Sequence, residues 1–304
     1  MNRKEKDYRS IIEGNLIRIM KDVLQTDDIS NSDFQSLFEA CIHATPIAQG
    51  KIIDGPYSQI YYKTNEPLAD SDIFTMRQFN GKRVLTILGS GDPILLAYYL
   101  GAERVAAFDV NPLAKYYAGL RSIALKSGLL YPPTQKKELE KLLSDTTNFT
   151  HEEQSAAILF RYLLERDADI SKLFYDITVQ PKGSIPFEQA DFDGNEFART
   201  DIFLLNIFEP MEIIKKRKYD VIVLSNVFDW IGRCDSKEQA YENAIKNLDS
   251  LLEDDGIIIL TQLIPNQASE QLEYLKRFFS VEVPANSPFI ICRKSPENCI
   301  RIKR

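Results

Sequence analysis

The sequence predicts a doubly wound α/β fold: a mostly parallel sheet with helices on both faces. Three observations predict it. First, Val84-Leu85-Thr86-Ile87-Leu88 is an apolar run that enters Gly89-Ser90-Gly91-Asp92, a buried strand feeding a glycine turn. Second, Val105-Ala106-Ala107-Phe108 is another such run and ends in Asp109. Pro93 to Leu100 lies between them and makes about two turns of helix at roughly 3.6 residues per turn. Third, Tyr219 to Asn226 and Ile257 to Thr261 are β-branched runs separated by a helical stretch from Ser236 to Leu252. Strand, Gly-x-Gly, helix, strand, acid is the arrangement of a nucleotide-binding half.

The remaining elements follow in chain order. Residues 7 to 25 have helical period, with Ile11, Ile12, Leu16, Ile17, Ile19, Met20 and Leu24 on one face. A second helix starts at Ser32 or Asp33 and buries Phe34, Leu37, Phe38 and Cys41. These helices precede the nucleotide-binding half, so residues 1–77 are expected to form a helical cap and covering loop. Residues 78–304 are expected to form the ligand-binding domain. Tyr57, Ile60, Tyr61 and Tyr62 sit in the covering loop, either as aromatic packing of a linker or as hydroxyl donors above a site.

Gly101 ends the first helix, and Pro112 suits the first turn of the next. Residues 134 to 177 are charged and helical, inside an insertion over about 131–185 that is expected to shape a substrate pocket. Phe197 to Phe203 is the candidate third strand, with Asp201 and Ile202 at or near its end. Asp201 either reaches a base there or caps a helix. The last two strands, Val281-Glu282-Val283 and Phe289 to Cys292, are joined by Pro284 to Pro288 and read as an antiparallel pair.

The glycine turn limits the ligand. Gly89 and Gly91 permit positive φ and close approach to the backbone, with Ser90 between them. Asp109, followed by Val110 and Asn111, lies beside any ribose over that turn, because a carboxylate can accept two hydroxyl hydrogen bonds at once. A dinucleotide fingerprint wants its third glycine where Ile94 stands, and Ile94 crowds a pyrophosphate. Asp92 at the helix start also disfavours phosphate. A nucleoside without phosphate and with positive charge fits, and S-adenosylmethionine has a sulfonium and an ammonium. A nicotinamide cofactor and a turn without ligand are the alternatives. Asn226, Val227 and Phe228 line the same edge from the fourth strand, and Asp229 follows them as the candidate base. The alternative for Asp229 is a helix cap. Tyr57 and Tyr61 are the further candidate catalytic residues.

Composition excludes several other classes. The chain has 304 residues, 44% of them hydrophobic and 27% charged, which suits a globular protein. A net charge of −7 weighs against broad binding to nucleic-acid backbone, so a small-molecule acceptor is expected and no nucleic acid. Lys215-Lys216-Arg217-Lys218 reads as a solvated loop. Cys41, Cys234, Cys292 and Cys299 show no metal spacing and read as reduced intracellular thiols. With only His43 and His151 beside them, no metal is expected. No apolar run approaches the roughly 20 residues of a membrane span, and the start of the chain has no signal-peptide core, so a cytoplasmic location is expected.

Residues 78 to 126 and 186 to 294 together resemble class I S-adenosylmethionine-dependent transferases. A finer resemblance is to the S-adenosylmethionine:diacylglycerol 3-amino-3-carboxypropyltransferases of betaine-lipid synthesis. Three pieces carry it: Leu85-Thr86-Ile87 through Gly91-Asp92, Phe108-Asp109-Val110-Asn111-Pro112, and Ser225-Asn226-Val227-Phe228-Asp229-Trp230. Tyr57-Ser58-Gln59-Ile60-Tyr61 stands where that family has a tyrosine-rich motif, but Tyr62-Lys63-Thr64 replaces the Trp-Glu-Asp that follows it there. The resemblance implies a Rossmann-like class I methyltransferase fold, with a mostly parallel seven-stranded sheet and a terminal antiparallel strand. It implies transfer of either the methyl or the aminocarboxypropyl group, and methyl transfer is the first expectation. A module that binds the ligand without catalysis is the alternative of a different class.

Overall fold

The computed structural model describes residues 60–63, 76–144, 148–166, 170–175, 190–208, 217–225, 227–228, 231, 234, 236–261, 268–284 and 289–294. The segment expected to form the N-terminal helices, Tyr57, Asn226 and Asp229 lie outside these residues. The described elements are β1 (Ile60–Tyr61), α1 (Met76–Phe79), β2 (Arg83–Ile87), α2 (Asp92–Tyr99), β3 (Arg104–Asp109), α3 (Pro112–Lys126), α4 (Lys136–Leu142), α5 (His151–Glu165), β4 (Phe174–Tyr175), α6 (Asn195–Ala198), β5 (Asp201–Leu204), β6 (Tyr219–Ser225), α7 (Lys237–Leu251), β7 (Leu252–Thr261), α8 (Ala268–Lys276), β8 (Phe279–Glu282) and β9 (Phe289–Lys294).

The main sheet has seven strands in the order β5-β3-β2-β6-β7-β9-β8. Neighbours are parallel except at β9, which runs antiparallel to both β7 and β8. This is the strand order of the class I methyltransferase fold, and the expected antiparallel pair is present. The antiparallel strand is the last of the described strands in chain order but lies inside the sheet.

The strand runs are continuously apolar because helices cover both faces of the sheet. Successive residues then alternate between two cores at the period of two that a strand imposes. Val221 and Val223 of β6, Ile257 and Ile259 of β7, and Phe289 and Ile291 of β9 enter the core under α2 and α3. Ile222 and Leu224, Ile258 and Leu260, and Ile290 and Cys292 enter the core under α7. Burial in that second core pushes the Cys292 thiol up to about 12, so it stays protonated.

The chain runs outward from β2 to β3 and β5, then returns to β6 on the other side of β2. The strand order therefore reverses between β2 and β6, where open α/β sheets bind ligands outside the carboxyl ends. Among the described residues, no helix is long and apolar enough to cross a membrane.

The described part of the insertion packs against the domain. α5 starts at a capping box: Glu153 N–H donates to Thr150 Oγ1, and Thr150 N–H donates to Glu153 Oε2. The buried Glu153 also accepts from Ser122 Oγ at 2.6 Å and Lys126 Nζ at 2.8 Å on α3. A Cβ on Gly119 of α3 would lie 2.9 Å from Ala156 Cβ and from Glu152 O, so the glycine lets α3 and α5 cross closely. β1 pairs in parallel with β4, matching Ile60 to Phe174 and Tyr61 to Tyr175.

One strand boundary corrects the sequence reading. Phe197 is in α6, and β5 covers only Asp201–Leu204. Gly194, at φ 85°, opens α6, and Thr200 Oγ1 donates to Glu196 O at its end. Local turn chemistry thus outcompetes the β pattern of the apolar residues. Asp201 consequently begins the strand instead of ending it.

Candidate functional site

β2 ends at Ile87, and the chain turns through Leu88-Gly89-Ser90-Gly91 into α2. Leu88 N–H donates to Phe108 O at 2.8 Å, which ties the turn to β3, and Gly91 N–H closes it on Leu88 O at 2.7 Å. Gly89 has φ 48° and Gly91 has φ 83°, left-handed values that favour glycine. Their surroundings differ. Among the described residues, a Cβ on Gly89 would meet nothing within 4 Å, whereas one on Gly91 would lie 2.8 Å from the Phe197 ring. Gly89 presents the open face. Gly91 is glycine because α6 packs against it, so a side chain there meets Phe197 before it meets ligand space.

Asp109 closes β3 beside this turn and is half-buried. Its Oδ2 accepts from Gly89 N–H at 3.0 Å and its Oδ1 from Asn111 N–H at 2.9 Å. Burial pushes the carboxyl up to about 6, although the Asn111, Gly89 and Val110 amides each pull it down. An ionised carboxylate has about four acceptor sites, so acceptor capacity remains for a hydroxyl donor. Asn111 also caps α3: its buried Oδ1 accepts from Leu113 N–H at 3.0 Å, with Pro112 in the first turn.

Asp92 behaves differently from the expectation of an acid facing the ligand. Its side chain and that of Arg121 are both 0% exposed. Asp92 Oδ1 accepts from Arg121 Nη1 at 2.8 Å and Tyr131 Oη at 3.1 Å, and Oδ2 accepts from Ser90 Oγ at 2.9 Å. The carboxylate of Asp92 and the hydroxyl of Ser90 are engaged inside the fold. The charge argument against phosphate therefore does not hold for Asp92, and the expected crowding by Ile94 does not hold either, because its side chain is fully buried in the core. Arg121 is not expected from the sequence, since one arginine in a long helix gives no signal of its burial.

The next strand end along the edge belongs to β5. Leu205 N–H donates to Asp109 O at 2.9 Å, which sets Asn206 just beyond the carboxylate. Asn206 is 2% exposed, and its Oδ1 accepts from Phe208 N–H at 3.0 Å. Asn206 thus places a buried amide at the strand edge where a polar group was expected at Asp201. The signal was one polar residue inside Leu204-Leu205-Asn206-Ile207-Phe208, and the misplaced strand boundary hid it. Asp201 is exposed at the opposite end of β5 and pairs with Arg217, while half-buried Ile202 packs on the core.

Ser225 ends β6 at φ 51°, a left-handed conformation uncommon for a serine. Such backbone clusters at functional edges. Val227 and Phe228 follow it, and both side chains are buried in the α7 core. Phe228 stacks on Tyr241 with centroids 5.9 Å apart and meets Phe208 edge-on at 6.0 Å. Tyr61 is held in β1 opposite Tyr175. Its neighbour Tyr62 packs on Tyr117, Tyr131 and Phe174, and Tyr117 Oη donates to Tyr62 O at 2.7 Å.

A cavity of about 300 Å³ lies elsewhere, between α3, the start of α5 and β5. Lys115, Glu152, Asp201 and Arg217 are among its lining residues, and none of the turn residues reaches it.

The sequence matches no protein-family model and no curated protein. Three solved structures illustrate what the fold is similar to. A TehB-like SAM-dependent methyltransferase from Corynebacterium glutamicum is 12% identical, with 75% of this chain and 91% of that one covered and a TM-score of 0.38. A SAM-dependent O-methyltransferase from Thermotoga maritima is 14% identical, covering 81% and 72%, with a TM-score of 0.34. An rRNA methylase from Streptococcus thermophilus is 14% identical, covering 76% and 98%, with a TM-score of 0.32. The likeness is one of chain arrangement, and the functional reading rests on the residues above.

Proposed function

We propose that this chain binds S-adenosylmethionine over the carboxyl ends of β2, β3, β5 and β6 and transfers its methyl group to a small-molecule acceptor. One observation carries the reading: the Asp109 carboxylate stands beside the open face of Gly89, fixed by the Gly89 and Asn111 amides. Asp109 accepts the ribose hydroxyls. Asn206, next along the edge, receives the base through its amide. Gly89 admits the ligand against the backbone of the turn.

The bound cofactor supplies an electrophilic methyl carbon and a neutral thioether leaving group. The chain's own work is then to align the acceptor and hold its proton, and positioning carries much of the rate. Asp229 is proposed as the base, with Tyr57 and Tyr61 as hydroxyl contacts to the acceptor. Asp229→Asn should lower turnover about 10²-fold, the usual range for a positioned base, with the melting temperature unchanged. An Asn variant with full activity would return Asp229 to the role of a helix cap.

Transfer of the aminocarboxypropyl group is the second reading and follows from the motif resemblance alone. The released nucleoside separates the two. Methyl transfer releases S-adenosylhomocysteine, and aminocarboxypropyl transfer releases methylthioadenosine. Chromatography of the nucleoside products after turnover with a panel of amine and hydroxyl acceptors tests the proposal. Methylthioadenosine as the enzymatic product would overturn methyl transfer.

A further inference from the structure

We infer that Arg121 is a positioning residue for the glycine turn, holding Ser90 and Asp92 in the conformation over which the ligand lies. The inference rests on the reading that S-adenosylmethionine lies there. Arg121 is on α3, away from the strand edge in sequence, yet its Nη1 donates to Ser90 O and to Asp92 Oδ1, both at 2.8 Å. Ser90 stands between the two left-handed glycines, so its carbonyl belongs to the turn and not to a strand ladder. The same guanidinium lies 4.3 Å from the Tyr131 ring centroid and 6.0 Å from that of Phe197. Tyr131 in turn donates to Asp92 and packs on Tyr62. One buried cation therefore links the turn, α6 and the segment around β1.

Stability alone does not explain this choice. Arg121 Nε and Nη2 are buried without a hydrogen-bond partner among the described residues, and unpaired buried donors are unfavourable. A buried ion pair is often no more stabilising than apolar residues of similar volume. Methionine at 121 with leucine at 92 could fill the same space. What that pair could not do is bond the Ser90 carbonyl. The geometry thus gives Arg121 a role that an apolar core residue cannot fill.

The test is calorimetric titration of S-adenosylhomocysteine into the full chain and its variants, with a melting temperature for each. The double variant Arg121→Met/Asp92→Leu removes both charges together. It also leaves Ser90 Oγ and Tyr131 Oη without Asp92 as their acceptor, so it should melt somewhat below the wild type and bind at least tenfold more weakly. Arg121→Lys keeps a charge and a donor, so it should lie between the two. Where the double variant does not fold, Arg121→Lys decides: about threefold weaker binding at an unchanged melting temperature is expected. Folded variants that bind as tightly as the wild type would overturn the inference and leave the cofactor reading standing. A wild-type chain that does not bind S-adenosylhomocysteine would overturn the cofactor reading, and the inference with it.

Discussion

Two aspartates flank the glycine turn, and the fold uses them in opposite ways. Asp92 is sealed inside, and three donors, one of them a buried arginine, satisfy its carboxylate. Asp109 is half-buried, its partners are backbone amides, and no cation among the described residues is paired with it. Asp92 therefore belongs to the architecture of the turn, and Asp109 is the acid proposed to meet the ligand. Proximity to a ligand-binding turn in sequence does not make an acid a ligand contact. What decides is whether the fold has already supplied its counter-charge.

The largest expected effect separates the pair by stability. Asp92→Ala should leave Arg121 buried without its partner and cost about 3–5 kcal/mol, read from urea unfolding. A loss below about 1 kcal/mol would break the contrast. Asp109→Ala should do the reverse. It should keep the fold but weaken S-adenosylhomocysteine binding at least tenfold, in line with about 1.5–3 kcal/mol for a hydrogen bond to a charged group. Unchanged affinity by calorimetry would remove Asp109 from the site.

A pH series sharpens the contrast further. The Asp109 carboxyl is raised from 3.8 to about 6 in the fold by burial. Its protonated form is thus favoured in the folded chain. That contribution is fully present below about 3.8 and is lost as pH rises through about 6. Ionised at neutral pH, the group costs on the order of 3 kcal/mol relative to the unfolded chain. Ligand hydroxyls need the ionised acceptor, so affinity should fall as pH drops through about 6. The decline should level off at lower pH, because a protonated carboxyl keeps part of its acceptor capacity. Asp109→Asn should flatten the profile, and an unchanged profile in that variant would assign the titration to another group. The smallest effect belongs to the neighbouring strand end. Asn206→Ala should weaken binding about fivefold, worth about 1 kcal/mol for one neutral hydrogen bond. No change in affinity would place the base elsewhere.

The same contrast shows what the sequence can reveal. The β2 turn, Asp109 at the end of β3, the apolar β6 and β7, and the final antiparallel pair were readable. Each depends on short-range signals: alternation, positive-φ glycines, and proline or asparagine at a helix start. Asn111 and Pro112 cap α3 as their residue types require. Other features were not readable. The start of β5 was misplaced because Phe197 looks like a strand residue, whereas the turn at Gly194 and the Thr200 bond to Glu196 O hold it in a short helix. Asn206 was lost with that boundary. Arg121 was invisible because its partners, Ser90, Asp92 and Tyr131, come from separate parts of the chain. Charge partners separated in sequence have no local signature, so Asp92 was read as facing outward.

The most direct measurement is calorimetric titration of S-adenosylhomocysteine, with reduced nicotinamide adenine dinucleotide as the control, into wild-type chain and Asp109→Ala at neutral pH. The account predicts saturable binding of S-adenosylhomocysteine at one site per chain, weakened at least tenfold in the variant, and no heat from the dinucleotide. Dinucleotide binding without S-adenosylhomocysteine binding would contradict it.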